Sequence, residues 1–135
     1  MGYAIEEIEG IGPAYAAKLA AAGITNTAGL LKNCADRAGR KKVADQTGIS
    51  DSLVLKWTNL ADLMRIKGVG PQFSELLEAA GVDTVKELRN RNAGNLTPKL
   101  AEVQKAKRIT RATPAESQVE RWIEEAKKLQ PMMTY

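Results

Sequence analysis

Apolar residues recur along this chain at helical spacing, and no stretch alternates apolar and polar residues as a half-buried strand would. Tyr15, Leu19 and Ala22, for example, fall on one face of a helix. Alanine, leucine, lysine and glutamate, which favour helices, dominate the periodic stretches. The pattern predicts an all-α protein.

One element occurs twice, 58 positions apart. Residues 8–13 read Ile-Glu-Gly-Ile-Gly-Pro and form what we call the first glycine turn. Residues 66–71 read Ile-Lys-Gly-Val-Gly-Pro and form the second glycine turn. The match continues through the next helix as far as Leu30 and Leu88. Because internal repeats define architecture, we predict two tandem units, residues 1–64 and 65–135.

Proline and glycine mark the ends of the helix that follows each turn. Pro13 and Pro71 suit a first helical position, and the helices should run to about residues 22 and 80. Gly23 and Gly81 then suit the left-handed position after a helix. The next helices are expected to begin at N-caps supplied by the following polar residues, Thr25 and Asp83.

Two further helices are predicted in each unit. In the first unit they cover about residues 37–46 and the stretch after Ser50, which would be an N-cap. In the second unit, Thr97-Pro98 should begin one helix. Thr113 has capping-box spacing to Glu116 and should begin the last.

Two tryptophans indicate which positions of the two units correspond. Trp57 and Trp122 are equivalent if the second unit carries about seven extra residues, and both lie in apolar stripes that predict core positions.

Residues 60–66, which join the two units, contain no glycine, proline or serine. We therefore expect a helix, without a flexible linker, to join the two units.

Composition narrows the possible chemistry. The chain has no histidine and one cysteine, Cys34, which excludes a structural zinc site and removes the commonest general base. Cys34 is expected to be a small core residue instead of a reactive thiol. No carboxylate pair, nucleophile–base pair or phosphate-binding Walker loop stands out. We expect no catalytic residues, no metal site, no cofactor and no enzymatic activity.

The chain lacks the sequence features of membrane insertion or export. No run approaches 18 uncharged apolar residues, so no membrane span is expected. Glutamates occupy positions 6, 7 and 9 without a basic segment before them, which is unlike a signal peptide. The expected location is cytoplasmic.

The net charge of +4 is concentrated in the second half. Residues 1–64 are neutral, whereas residues 86–111, here called the basic run, carry eight basic and two acidic side chains. Such a segment is either a solvated polar face or a patch that attracts polyanions.

The duplicated turns, the helix ending in Ala-Gly-Ile and the weaker turn at residues 47–50 together resemble the paired helix-hairpin-helix domain. That fold, a small helical bundle related to SAM domains, occurs in bacterial Holliday-junction proteins, NAD-dependent DNA ligases and nucleotide-excision nucleases. The whole chain also resembles an uncharacterised bacterial family of tandem helix-hairpin-helix units. The resemblance implies non-enzymatic, sequence-independent binding of the DNA backbone, with duplex or branched DNA as the partner.

The resemblance also implies which residues bind. In such turns backbone N–H groups at a helix N-terminus meet phosphate oxygens. The second turn would contribute most to DNA binding, and nearby basic residues would add to it. The first turn would contribute less. The predicted binding residues are Arg65, Lys67, Gly68, Val69, Gly70 and Gln72, then Lys105, Lys107, Arg108 and Arg111, and, more weakly, Gly10 and Gly12.

Two departures keep an alternative open. DNA-binding members of the resembling families carry lysine, arginine or threonine just after the second glycine, whereas this chain has Pro13-Ala14 and Pro71-Gln72. The three glutamates also flank the first turn, which favours a structural role for it. The alternative is a protein-interaction or assembly module, with a protein partner or a homo-oligomer, that keeps the hairpin fold as a scaffold.

Overall fold

The computed structural model describes residues 2–135, and in that range the protein is helical, which confirms the all-α prediction. A short 3-10 helix covers Ile5–Glu7. Eight α-helices follow in this range: α1 Pro13–Ala21, α2 Thr27–Cys34, α3 Arg37–Thr47, α4 Asp51–Leu63, α5 Pro71–Ala79, α6 Val85–Leu88, α7 Ala93–Lys107 and α8 Glu116–Lys128. None of them is long and apolar enough to cross a membrane.

The chain forms two compact units. One consists of the residues up to Asp62 together with Met132–Tyr135, and the other is Leu63–Pro131. The four C-terminal residues, which the sequence pattern assigned to the second unit, therefore pack with the first. Arg40 holds them there, because its Nη2 donates to the carbonyl oxygen of Thr134 at 2.7 Å.

The repeat in the sequence is also a repeat in backbone hydrogen bonding. One hydrogen bond closes each glycine turn. At the end of each following helix, the amide of the residue after the terminal glycine donates to a carbonyl oxygen in the last helical turn. The bonds are Ile11 N to Ile8 O and Val69 N to Ile66 O in the turns, and Ile24 N to Leu19 O and Val82 N to Leu77 O at the helix ends. Equivalent local sequences thus adopt equivalent local structures.

The N-caps of α2 and α6 lie one residue later than predicted. Asn26 accepts a hydrogen bond from Gly29 N at 2.7 Å, and Thr84 accepts one from Glu87 N at 3.2 Å. The predicted cap Thr25 instead uses its backbone carbonyl to accept from Ile5 N. The prediction for Asp83 is also wrong, because the side chain that caps α6 belongs to the next residue, Thr84.

Two helix starts in the second unit also differ from prediction. α7 begins at Ala93, four residues before Thr97, because Asn92 caps it by accepting from Asn95 N at 3.1 Å. Pro98 consequently lies inside the helix, where it lacks the N–H of a regular turn. α8 begins at Glu116 after Ala115, which provides no side-chain cap, so the predicted cap at Thr113 is not formed.

The aromatic residues occupy equivalent core positions in the two units. Trp57 and Trp122 are 1 % and 2 % exposed, as their apolar stripes predicted. Each packs against the aromatic residue of the helix after its glycine turn, with ring centroids 5.1 Å apart for Tyr15–Trp57 and 5.0 Å for Phe73–Trp122.

Cys34 is buried in the first unit, as expected of a core residue. Burial is the main cause that raises the pKa of its thiol to about 11. The thiol is therefore protonated at neutral pH, which is the unreactive form.

Candidate nucleic-acid interface

The first glycine of each turn is fixed by backbone conformation and by packing. Gly10 has φ of 95° and Gly68 has φ of 91°, a region that residues with a Cβ rarely adopt. A Cβ at these positions would also lie 3.3 Å from Nε1 of Trp57 and 3.2 Å from Nε1 of Trp122, respectively. The two tryptophans thus support the two turns from beneath.

The second glycine of each turn is under a weaker constraint. Gly12 and Gly70 are the N-caps of α1 and α5, with φ of −86° and −95°, which any residue can adopt. A Cβ at Gly12 would meet nothing within 4 Å. What a side chain there would obstruct is the approach of a molecule from outside.

Val69, a predicted binding residue, faces the interior. Its side chain is fully buried, and its amide donates to Ile66 O at 3.0 Å. Ile11 in the first turn does the same. These residues hold the turns in shape and have no donor left for a ligand.

Three of the donors that remain at the second turn are the amides of Gly68, Gly70 and Gln72. None of them has an acceptor within the described residues 2–135. Gly68 and Gln72 are exposed and Gly70 is half-buried. They surround the N-terminus of α5, whose dipole favours an anion. The second turn can therefore receive an oxyanion from solvent.

The charges beside the two turns have opposite signs. Lys67 is exposed beside Gly68, and Arg65 donates to the Gln130 carbonyl at 2.9 Å. In the first unit the residue equivalent to Lys67 is Glu9, which is also exposed. The charge next to the first glycine thus favours an anion at the second turn and disfavours one at the first.

A groove of about 690 Å³ runs between the second turn and one face of α8; we call it the α8 groove. Its lining combines charged, polar and aromatic side chains: Lys67, Gly68, Ser117, Gln118, Glu120, Arg121, Trp122, Glu124, Glu125 and Lys128. Arg121 and Lys128 were not among the predicted binding residues. Ser117, Arg121, Glu124 and Lys128 recur at the spacing of one helix face, and that recurrence could have identified them.

Some residues of the basic run form hydrogen bonds or ion pairs within the protein, and others are exposed. Arg89 donates to Lys127 O at 3.0 Å, and Arg91 pairs with Glu87 at 3.2 Å. The predicted binding residues of the run are all exposed, near the end of α7 and just after it, and none lines the α8 groove: Lys105, Lys107, Arg108 and Arg111. They are exposed cations of the same unit that lie outside the groove.

These features define a small all-helical protein with a duplicated glycine turn, one copy of which lies beside cationic side chains. Residues 9–129 match the family described as Domain of unknown function (DUF4332). The chain belongs to that family, and its predicted membership of a domain-of-unknown-function family is confirmed. Comparison with curated proteins and with solved structures found no match for this chain.

Proposed function

We propose that this protein is a tandem helix-hairpin-helix protein that binds the DNA backbone without catalysis and without reading base sequence. The observation that supports this most directly is the set of amides at the second turn that have no acceptor in the described chain. Phosphate oxygens are suitable acceptors for amides at a helix N-terminus.

The cationic side chains of the second unit add a long-range attraction. Lys67 lies beside these amides, and Lys105, Lys107, Arg108 and Arg111 are exposed. Each lysine or arginine that neutralises a phosphate releases condensed counterions, so binding should weaken as salt rises. With three or four phosphates neutralised, the slope of log affinity against log salt is expected to be about −3.

Fluorescence anisotropy of a labelled duplex at low and moderate salt tests the proposal. Single-stranded and four-way DNA in the same assay would define the preferred nucleic-acid shape. Absence of duplex binding at low salt, or affinity that does not respond to salt, would contradict the proposal.

A paired charge reversal identifies the binding face. Lys105→Glu with Arg108→Glu should weaken duplex binding and flatten the salt slope, because two exposed cations are lost. The matched control is Lys32→Glu with Lys56→Glu, which makes the same charge change at exposed positions of the first unit. If both double variants lose affinity equally, net charge is responsible and the basic run is not the binding face.

The acidic residues beside the first turn favour a second candidate function, that of a protein-interaction or assembly module. Glu6 and Glu9 are exposed near Gly10 and Gly12, where they would repel phosphate. Light scattering tests this candidate: a defined oligomer supports self-assembly, whereas a strict monomer that also recovers no protein partner argues against it.

A further inference from the structure

The indole of Trp122 carries a hydrogen-bond donor without a partner. The side chain is 2 % exposed, and a buried indole N–H normally finds an acceptor. Nε1 of Trp122 makes no hydrogen bond to any group within residues 2–135. Within this range, the polar side-chain atom that is both fully enclosed and without a hydrogen-bond partner is Oγ1 of Thr97. Because Nε1 of Trp122 also lacks a partner, it is not fully enclosed and can be reached from outside through an opening.

That opening leads to the α8 groove past Gly68. Nε1 lies 3.2 Å from the point that a Cβ on Gly68 would occupy, so the missing side chain leaves a path from the indole to the outside. Gly68 is exposed, and both residues line the groove together with Lys67 and Arg121. A buried donor, an exposed glycine and two cations therefore line one groove.

We infer that Trp122 is a ligand-binding residue, whose Nε1–H donates to an oxygen of a DNA backbone phosphate held over Gly68. The inference rests on the proposed function for the identity of the ligand. Lys67 and Arg121 supply positive charge to the same groove. The groove has three carboxylates, Glu120, Glu124 and Glu125. Glu124 pairs with Lys127 at 3.3 Å and Glu125 with Lys128 at 3.9 Å, which reduces the repulsion of an anion by these two.

Trp57 provides a matched control within the same chain. Its Nε1 lies 3.3 Å from the corresponding point on Gly10, so its relation to the first turn is nearly identical. Glu9, however, stands where the second turn has Lys67. The inference therefore assigns phosphate to Trp122 and not to Trp57.

Proton–nitrogen NMR of the full-length, nitrogen-labelled protein tests the inference without altering the site. The two indole N–H resonances are assigned with Trp57→Phe, and a short duplex is then titrated at low salt. The Trp122 indole proton should move downfield as it gains a charged acceptor, while the Trp57 resonance stays in place. A stationary Trp122 resonance, when backbone amides report that the duplex binds, overturns the inference and leaves the proposed function intact.

A second titration with inorganic phosphate distinguishes the two possible failures. If the Trp122 resonance moves with phosphate but no duplex binds, the proposed function fails, and with it the assignment of DNA as the source of the oxyanion. If neither probe moves the resonance, the indole is not a phosphate donor.

Trp122→Phe supplies an independent readout, because it keeps an aromatic ring and removes the N–H. Loss of one hydrogen bond to phosphate should weaken duplex binding by about three- to tenfold. Trp57→Phe, the matched control, should bind as the unaltered protein does, and thermal melting followed by circular dichroism verifies that both variants fold. Equal affinity of the two variants contradicts the inference.

Discussion

At the scale of single residues, the two glycines of a turn differ in what the fold requires of them. Gly10 needs a positive φ and approaches an indole closely, whereas Gly12 is extended and faces open space. The sequence presents them as equal members of one motif. The difference in their surroundings appears only in the tertiary structure, where Trp57 lies close to Gly10.

Substitution by alanine should separate the two roles. Gly10→Ala should reduce the free energy of unfolding by about 1–2 kcal/mol, because alanine is strained at positive φ. Gly12→Ala should cost less, about 0.5 kcal/mol, because its backbone is in a region open to every residue and only the N-cap preference for glycine over alanine is lost. Urea denaturation measures both values, and equal losses would refute the distinction.

At the scale of helices, side-chain caps decide where each one begins. The sequence placed α2 and α6 within one residue of their starts, because proline, glycine and capping residues act locally. It placed the start of α7 four residues too late, since Thr97-Pro98 is typical of a helix start, whereas the residue that caps α7 is Asn92.

The cap of α2 offers a direct test of the corrected boundary. Asn26→Ala removes the side chain that accepts from Gly29 N and should cost about 1 kcal/mol of stability. Thr25→Ala leaves the carbonyl that binds Ile5 N in place, so it should cost less than about 0.5 kcal/mol. The same denaturation assay compares the two, and a larger loss for Thr25→Ala would restore the boundary that the sequence predicted.

At the scale of the whole molecule, the chain terminus completes the first unit. The guanidinium of Arg40 is buried and donates to three carbonyl oxygens, those of Cys34, Ala35 and Thr134. Met133 is 6 % exposed, and Thr134 N donates to Ala35 O at 2.9 Å. Met133 is thus part of the core of the first unit, and two hydrogen bonds fix Thr134 beside it.

Deletion of residues 132–135 should destabilise the first unit selectively. It removes the buried Met133 and leaves one nitrogen of Arg40 without its acceptor, at a combined cost of about 2–4 kcal/mol. Hydrogen exchange should show lost protection in α2 and α3 but not in α7 and α8. Met132→Ala, at an exposed position, is the control and should leave exchange unchanged. Full protection of α2 and α3 in the truncated chain would contradict this role of the tail.

By itself, the sequence determined the helical class, the duplication and the approximate bounds of most helices. These follow from periodicity, proline, glycine and caps, which act over a few residues. The tertiary structure alone decided which amides of the second turn stay free, that α8 places Trp122 and Arg121 beside Gly68, and that the C-terminus returns to Arg40. Each of these depends on contacts between residues tens of positions apart, and no local pattern specifies such contacts.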